Sequence, residues 1–324
     1  MIRKQWFLFA LVVVLATGMG FAPMLEALAQ ITALKWSIVS ITMFLIVWPF
    51  SFNAVAESLR RPQAAILAIA INSVVMPLVV WPLAILVGGE VADGMIVTFT
   101  APCTVASAAI WTRRGGGDER IAILVTLVTN LFCFLTAPLW IAFLLGRSGE
   151  SAVDFGGTAI KLLLFVVAPI VVAQIVRLHN ASANWATTEK KKLGIASQFG
   201  LLSIVMLGAI QSGMRIRESG SGFQFAQLVM GVGCLLLAHM LVLYAGKWLA
   251  KKLGMSHPEQ VAVAIAGSQK TLMVGLSIAV SLQVTILPLL AFHSLQLVID
   301  TVIVDRFAAE DAESTQPCST LGKT

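Results

Sequence analysis

Apolar residues recur along the chain in ten long stretches separated by short polar turns. They lie near 6–22, 31–50, 64–87, 94–112, 121–145, 159–176, 195–214, 223–246, 260–282 and 284–304. Each approaches the ~20 residues a helix needs to cross a bilayer core. They are too long and too evenly apolar for barrel strands. A backbone in lipid must satisfy its own hydrogen bonds, so helices are the expected form. The pattern predicts an all-α polytopic membrane protein with ten transmembrane helices and no soluble domain.

The ten stretches divide five and five around "SGESAVDFGG" at 148–157. The stretch 31–50 maps onto 195–214 with an offset near 164, and a break at Pro102 maps onto Gly267 with an offset of 165. An odd number of spans per half puts the halves in opposite orientations, which is the inverted repeat of transporters. The symmetry is one of hydropathy, without residue identity. The expected organisation is a first repeat over 1–155, a second over 156–306, and a polar, disordered cytoplasmic tail over 307–324. Arg3, Lys4, the first apolar run and "ALA" at 27–29 also fit a signal peptide. The run is long for a signal, and the symmetry argues for a span.

Composition agrees. Hydrophobic residues make up 58% of the 324 residues and charged residues 12%, against about 25% charged in soluble domains. Lys and Arg are split sixteen to five between alternate loops. The positive-inside rule then puts both termini in the cytoplasm of a multi-pass protein of the plasma or inner membrane. The net charge of +6 is therefore a topology signal and implies no nucleic-acid partner. Lys190, Lys191 and Lys192 read as a solvated run at anionic headgroups. Cys103, Cys133 and Cys234 fall inside spans and Cys318 in the tail, which suits packing rather than a disulfide framework.

The chemistry lies in the polar residues inside the spans. Span 4 reads "GMIVTFTAPCTVASAAIW", with Pro102, Thr104 and Ser107; span 9 reads "VAVAIAGSQKTLMVGLSIAV", with Gly267, Ser268, Gln269, Lys270 and Thr271. Corresponding spans broken by Gly, Pro and polar residues point to a midplane site between half-helix ends. The alternative is a plain proline kink with serines bonded back to the preceding turn. Span 5 carries Thr126, Thr129, Asn130 and Cys133 on one face, and span 10 carries His293, Gln296 and Asp300 on another. Such stripes also serve as interhelical glue, and His293 and His239 also fit as satisfied bundle-facing histidines. Lys270 is too deep in its span to snorkel, and a central lysine costs roughly 3 kcal/mol to insert. It needs an anionic ligand, a structural partner such as Asp300, or a carbonyl. No HExxH, paired intramembrane carboxylates or Ser/His/Asp arrangement is present, so the chain does not read as an enzyme.

The ten spans, the breaks in spans 4 and 9, and the segments "PFSFNAVAESLRRP" (49–62), "NSVVMP" (72–77), "APCTVASAAIW" (101–111) and "GSQKTL" (267–272) resemble the bile acid:sodium symporter family. The resemblance covers roughly residues 5–306. Span 9 and "FHSLQLVID" (292–300) are most similar to its divergent branch linked to calcium handling. The resemblance implies a crossed-helix transport core. Ser107 falls on a family sodium-ligating serine, but Ala108 replaces the adjoining asparagine. Gln269 falls on a family glutamine, but Ile265 replaces a glutamate. Asn72 falls where a glutamine assists a second sodium, and Thr126 or Thr129 falls near a threonine ligand.

These readings predict a secondary transporter of a small organic anion. The substrate candidates are Thr104, Ser107, Ser268, Gln269, Lys270, Thr271 and His293. The ion candidates are Asn72, Ser107, Thr126, Thr129, Asn130 and Gln269. No cofactor is expected beyond a coupling sodium ion or proton, and Lys270 could itself stand in for a bound cation. The rival classes are a non-transporting regulator of ion homeostasis and a metalloid efflux carrier, the latter suggested by Cys103.

Overall fold

The computed structural model describes residues 2–50, 62–105, 107–145, 154–218 and 225–315. Most of the 49–62 segment and of the 148–157 linker, and Cys318, lie outside them. The described chain is helical throughout, without strands. Helix α1 (Ile2–Gly20) turns by 100° at Phe21 into α2 (Ala22–Gln30), and α3 is Thr32–Val47. Then come α4 (Pro62–Val87), α5 (Gly89–Thr100) and α6 (Ser107–Arg114). Helix α7 (Glu119–Leu131) bends by 65° into α8 (Cys133–Leu145). The second half comprises α9 (Phe155–Arg177), α10 (Asn180–Thr188), α11 (Lys190–Glu218), α12 (Phe225–Lys252), α13 (His257–Ser268), α14 (Leu272–Ser281) and α15 (Leu287–Thr315). Among the described residues six helices are long and apolar enough to cross a bilayer, eight if each bent pair counts once.

Two helices widen by one residue just before a proline. The π turns Ile71–Val75 and Leu163–Val167 precede Pro77 and Pro169. Proline has no N–H and its ring crowds the carbonyl four residues back, so the ladder opens there. The two freed carbonyls find side chains: Trp140 Nε1 donates to Ser73 O at 2.7 Å and Ser40 Oγ to Phe165 O at 3.2 Å. The bend at Phe132, which hydropathy does not reveal, follows polar side chains turned back on the ladder of α7. Thr129 Oγ1 donates to Val125 O and Asn130 Nδ2 to Thr126 O, each at 2.8 Å.

Two large apolar clusters form the core, and each draws on both halves of the chain. One joins α1, α3, α9, α11 and α14; the other joins α4, α5, α7, α12 and α13. Close approach of α3 and α11 depends on Gly200, where a Cβ would lie 1.9 Å from Thr42 Oγ1. The broken helix α13–α14 is buried within the protein over residues 261–280. Its polar stretch therefore faces other helices and not lipid.

The disordered tail expected from 307 is corrected in part, because α15 continues to Thr315. Phe307 is buried, with Lys247 Nζ 3.7 Å from its ring centroid, and Lys247 also pairs with Glu310. These contacts hold two further turns of helix that composition does not anticipate.

Candidate functional site

The break in span 4 leaves Ala101 to Thr104 non-helical between α5 and α6. Its backbone polar groups would be orphans in an apolar core. The polar face of α7 takes them up. Thr129 Oγ1 accepts from Cys103 N–H at 3.2 Å, Asn130 Nδ2 donates to Cys103 O at 2.8 Å, and Thr126 Oγ1 donates to Thr104 O at 3.1 Å. Three residues expected as ion ligands thus hold the break open. Asn130 Oδ1 remains without a hydrogen-bond partner among the described residues.

The break in span 9 falls at Gln269, Lys270 and Thr271, two residues beyond Gly267, which is still helical. The last carbonyls of α13 have no partners along their own helix. Asn72 Nδ2 lies 3.2, 3.3 and 2.9 Å from the carbonyl oxygens of Ala266, Gly267 and Gln269. The span 10 stripe docks on the same stretch. Gln296 Oε1 accepts from Lys270 N–H at 3.1 Å, His293 Nδ1 lies 3.3 Å from Lys270 O, and Gln269 Nε2 donates to Asp300 Oδ2 at 2.6 Å. The two breaks touch: Thr271 N–H donates to Pro102 O at 2.9 Å, and Ser107 Oγ to Gln269 Oε1 at 3.2 Å.

Lys270 is 1% exposed. Its ammonium has three donors and no acceptor, and three oxygens receive them: Asn72 O at 2.6 Å, Asn72 Oδ1 at 3.3 Å and Ala101 O at 2.9 Å. Ala101 caps the C-terminal end of α5, where the helix dipole favours a cation. Of the structural partners considered for this lysine, carbonyls fit and Asp300 does not. Asp300 is engaged by Gln269 and by His239, whose Nε2 lies 2.8 Å from Asp300 Oδ1. Both side chains of this pair are fully buried. Sequence reasoning noted them singly and missed their pairing, because sixty-one positions separate residues 239 and 300 along the chain.

A cavity of about 350 Å³ opens beside the breaks. Thr104, Ser107, Thr271 and His293 give its polar lining, Phe7, Met43, Ile46 and Leu201 its apolar lining, and exposed Lys190 also borders it. Four of the seven expected substrate residues are thereby brought together. Ser268, Gln269 and Lys270 are buried behind them. The Cys103 thiol is also fully buried and off the lining, 3.5 Å from Thr126 Oγ1. Ala108 and Ile265, at the positions where the family ligands are missing, are packed in apolar clusters. No group of three or more His, Cys, Asp or Glu suited to a metal occurs among the described residues.

An uncharacterised protein of Pseudomonas aeruginosa is 28% identical over 69% of this chain and 67% of its own length. Sodium/bile acid cotransporter 7 of Xenopus tropicalis is 26% identical over 65% of this chain and 62% of its own length. The rat protein of that name is 25% identical over 63% and 60%. The matches thus span about two thirds of these relatives. The SBF-like CPA transporter family model matches residues 5–309. Nearly the whole chain, with its apolar helices and paired polar breaks, therefore belongs to the SBF-like CPA transporter family, a family of membrane transporters and not of enzymes.

Proposed function

We propose that this protein is a secondary transporter of a small organic anion, working by alternating access in a cytoplasmic or plasma membrane with both termini inside. The observation that carries this reading is the cavity at the touching breaks. Its lining is in part polar and held by hydrogen bonds, and in part apolar and drawn from the first core cluster. An amphipathic anion suits such a cavity, its apolar body against Phe7, Met43 and Leu201. Its anionic group would meet the N-terminal end of α14 at Thr271, the hydroxyls of Thr104 and Ser107, and Lys190. Sliding the two clusters past one another would expose the cavity to either side.

Ten spans in two inverted repeats follow if α3 and the broken pair α5–α6 are counted with the eight candidates. The matching roles of α7 and α15 support this. Each lies after a broken span and docks a polar stripe on that span's break. A coupling cation belongs to the reading, since relatives are named as sodium cotransporters. Oxygens at both breaks, however, are already taken: Ala101 O accepts from Lys270 Nζ, and Gln269 O accepts from Asn72 Nδ2.

The test is uptake by purified protein in liposomes of two strong-acid anions that do not leak as neutral acids, taurocholate and benzenesulfonate. Substitution Thr271→Trp fills the cavity and should abolish uptake while the protein still inserts. Uptake indifferent to a tryptophan at position 271, or none by wild type under any gradient, would sink the reading.

A further inference from the structure

The most unusual group in the core is one that the cavity does not use directly: the buried pair His239 and Asp300. Each imidazole nitrogen faces an oxygen, Nδ1 at 3.2 Å from Ser268 O and Nε2 at 2.8 Å from Asp300 Oδ1. A backbone carbonyl can only accept, so Nδ1 carries a hydrogen. The contact between Nε2 and Oδ1 then needs another hydrogen, on the ring or on the carboxyl. Imidazolium beside carboxylate and imidazole beside carboxylic acid both satisfy it. Each holds one proton more than a neutral imidazole beside a carboxylate. That proton-poor state would set two lone pairs against each other at 2.8 Å, in a site with no exposure to relieve them.

We infer that His239 and Asp300 form a proton-binding site, loaded in this conformation, and that the proton is the cation co-transported with the anion. The inference rests on the reading of the cavity as the transport site. Hydrogen bonds connect the two places. Asp300 Oδ2 accepts from Gln269 Nε2 at 2.6 Å, and Gln269 Oε1 accepts from Ser107 Oγ at 3.2 Å, on the cavity wall. Ser268 and Gln269 are the last helical residue of α13 and the first residue of the break. Loss of the proton breaks the contact between α12 and α15, whose two side chains also hold span 9 at Ser268 and Gln269.

Charge balance gives the coupling its direction. Lys270 contributes one positive charge beside the break. The loaded pair is neutral overall and the unloaded pair carries one negative charge. The core is thus +1 with the proton and zero without it. An anion in the cavity returns the loaded core to zero, and net charge in a low-dielectric interior is costly. Proton and anion bind together from water on one side and leave together to water on the other. The other ionisable groups of the surrounding elements do not pair with His239. His293 on α15 meets Lys270 O, and Cys103 meets Thr126. Helix α4 has no ionisable residue and offers Asn72, and Phe292 presents its ring 5.8 Å from that of His239.

Two measurements test this. The chain has four histidines, so nitrogen NMR of labelled protein, with single substitutions for assignment, isolates His239 without any ligand. With the Asp300 carboxyl carbon followed by carbon NMR beside the His239 ring nitrogens, one or both should change in a single step as pH rises, and Asp300→Asn should change that step. Ring and carboxyl signals both unchanged from acid to alkaline pH overturn the proposal. In sodium-free liposomes, an inward gradient of one pH unit should support about tenfold accumulation of taurocholate or benzenesulfonate, one proton per anion being electroneutral. His239→Gln should remove this pH-driven accumulation. Accumulation driven by sodium and indifferent to pH overturns the proton site but leaves the transport reading standing. Failure of both gradients to move either anion removes both.

Discussion

The ammonium of Lys270 lies 2.9 Å from the carbonyl oxygen of Ala101, so the second break in the chain supplies a cation to the open helix end at the first. The two breaks are therefore one structural unit. Their contact is also made by backbone, through Thr271 N–H and Pro102 O.

Replacing Lys270 with Met should destabilise the purified protein, because Asn72 O, Asn72 Oδ1 and Ala101 O lose their donor. A buried acceptor left unsatisfied costs about 1–3 kcal/mol. Lys270→Arg should also destabilise it, since the planar guanidinium does not fit a site shaped around a compact ammonium. Thermal unfolding in detergent measures both. Wild-type melting by either variant would mean the three oxygens are not held by this side chain.

The π turn before Pro77 makes a separate claim. Trp140→Phe retains the ring but leaves Ser73 O without its donor, so stability should fall by about 1–3 kcal/mol. Trp140→Phe combined with Pro77→Ala should recover much of that loss, because the regular ladder can reclaim the carbonyl. Additive losses in the double variant would count against the account.

Ser107→Ala removes a hydroxyl that both lines the cavity and donates to Gln269. Anion uptake should fall severalfold while expression stays normal. Phe7→Ala, on the apolar wall, should weaken bulky taurocholate more than benzenesulfonate. Equal effects on the two anions would place the apolar body of the substrate elsewhere.

The loop between α6 and α7 carries a pH-dependent contribution. Asp118 caps α7 by accepting Arg120 N–H at 3.0 Å, and the adjacent Arg120 guanidinium holds its carboxyl below the ordinary range. A depressed carboxyl contributes stability that is present above its unfolded value, about 3.9. That stability is lost as pH falls through the folded value. Asp118→Ala should cost roughly 0.5–2 kcal/mol at neutral pH and progressively less in acid, as read from melting curves at several pH values.

The sixteen-to-five split of Lys and Arg predicts the sidedness of the chain. In intact cells an impermeant thiol reagent should leave Cys318 unlabelled and should label a cysteine placed at exposed Arg217. The reverse labelling would invert the topology.

Hydropathy alone was enough for the helical class, the membrane setting and the approximate limits of most spans, because lipid imposes a length and an apolar surface on every crossing. The breaks were legible at Pro102 and near Gly267, since proline, glycine and clustered polar residues disrupt a helix wherever it lies. The stripe His293, Gln296 and Asp300 was also readable as one face. What tertiary structure decided was which groups meet. Lys270 looks stranded in an apolar segment until α13 and α14 are seen to be buried in protein, with carbonyls from α4 and span 4 around the ammonium. Thr126, Thr129 and Asn130 look like ion ligands until the orphaned backbone of Cys103 and Thr104 claims them. His239 and Asp300 are unremarkable apart and become a coupled pair only when α12 and α15 pack together. Periodicity reports which side of a helix is polar; its partner is selected by hydrogen-bond demand that arises only after the helices have assembled.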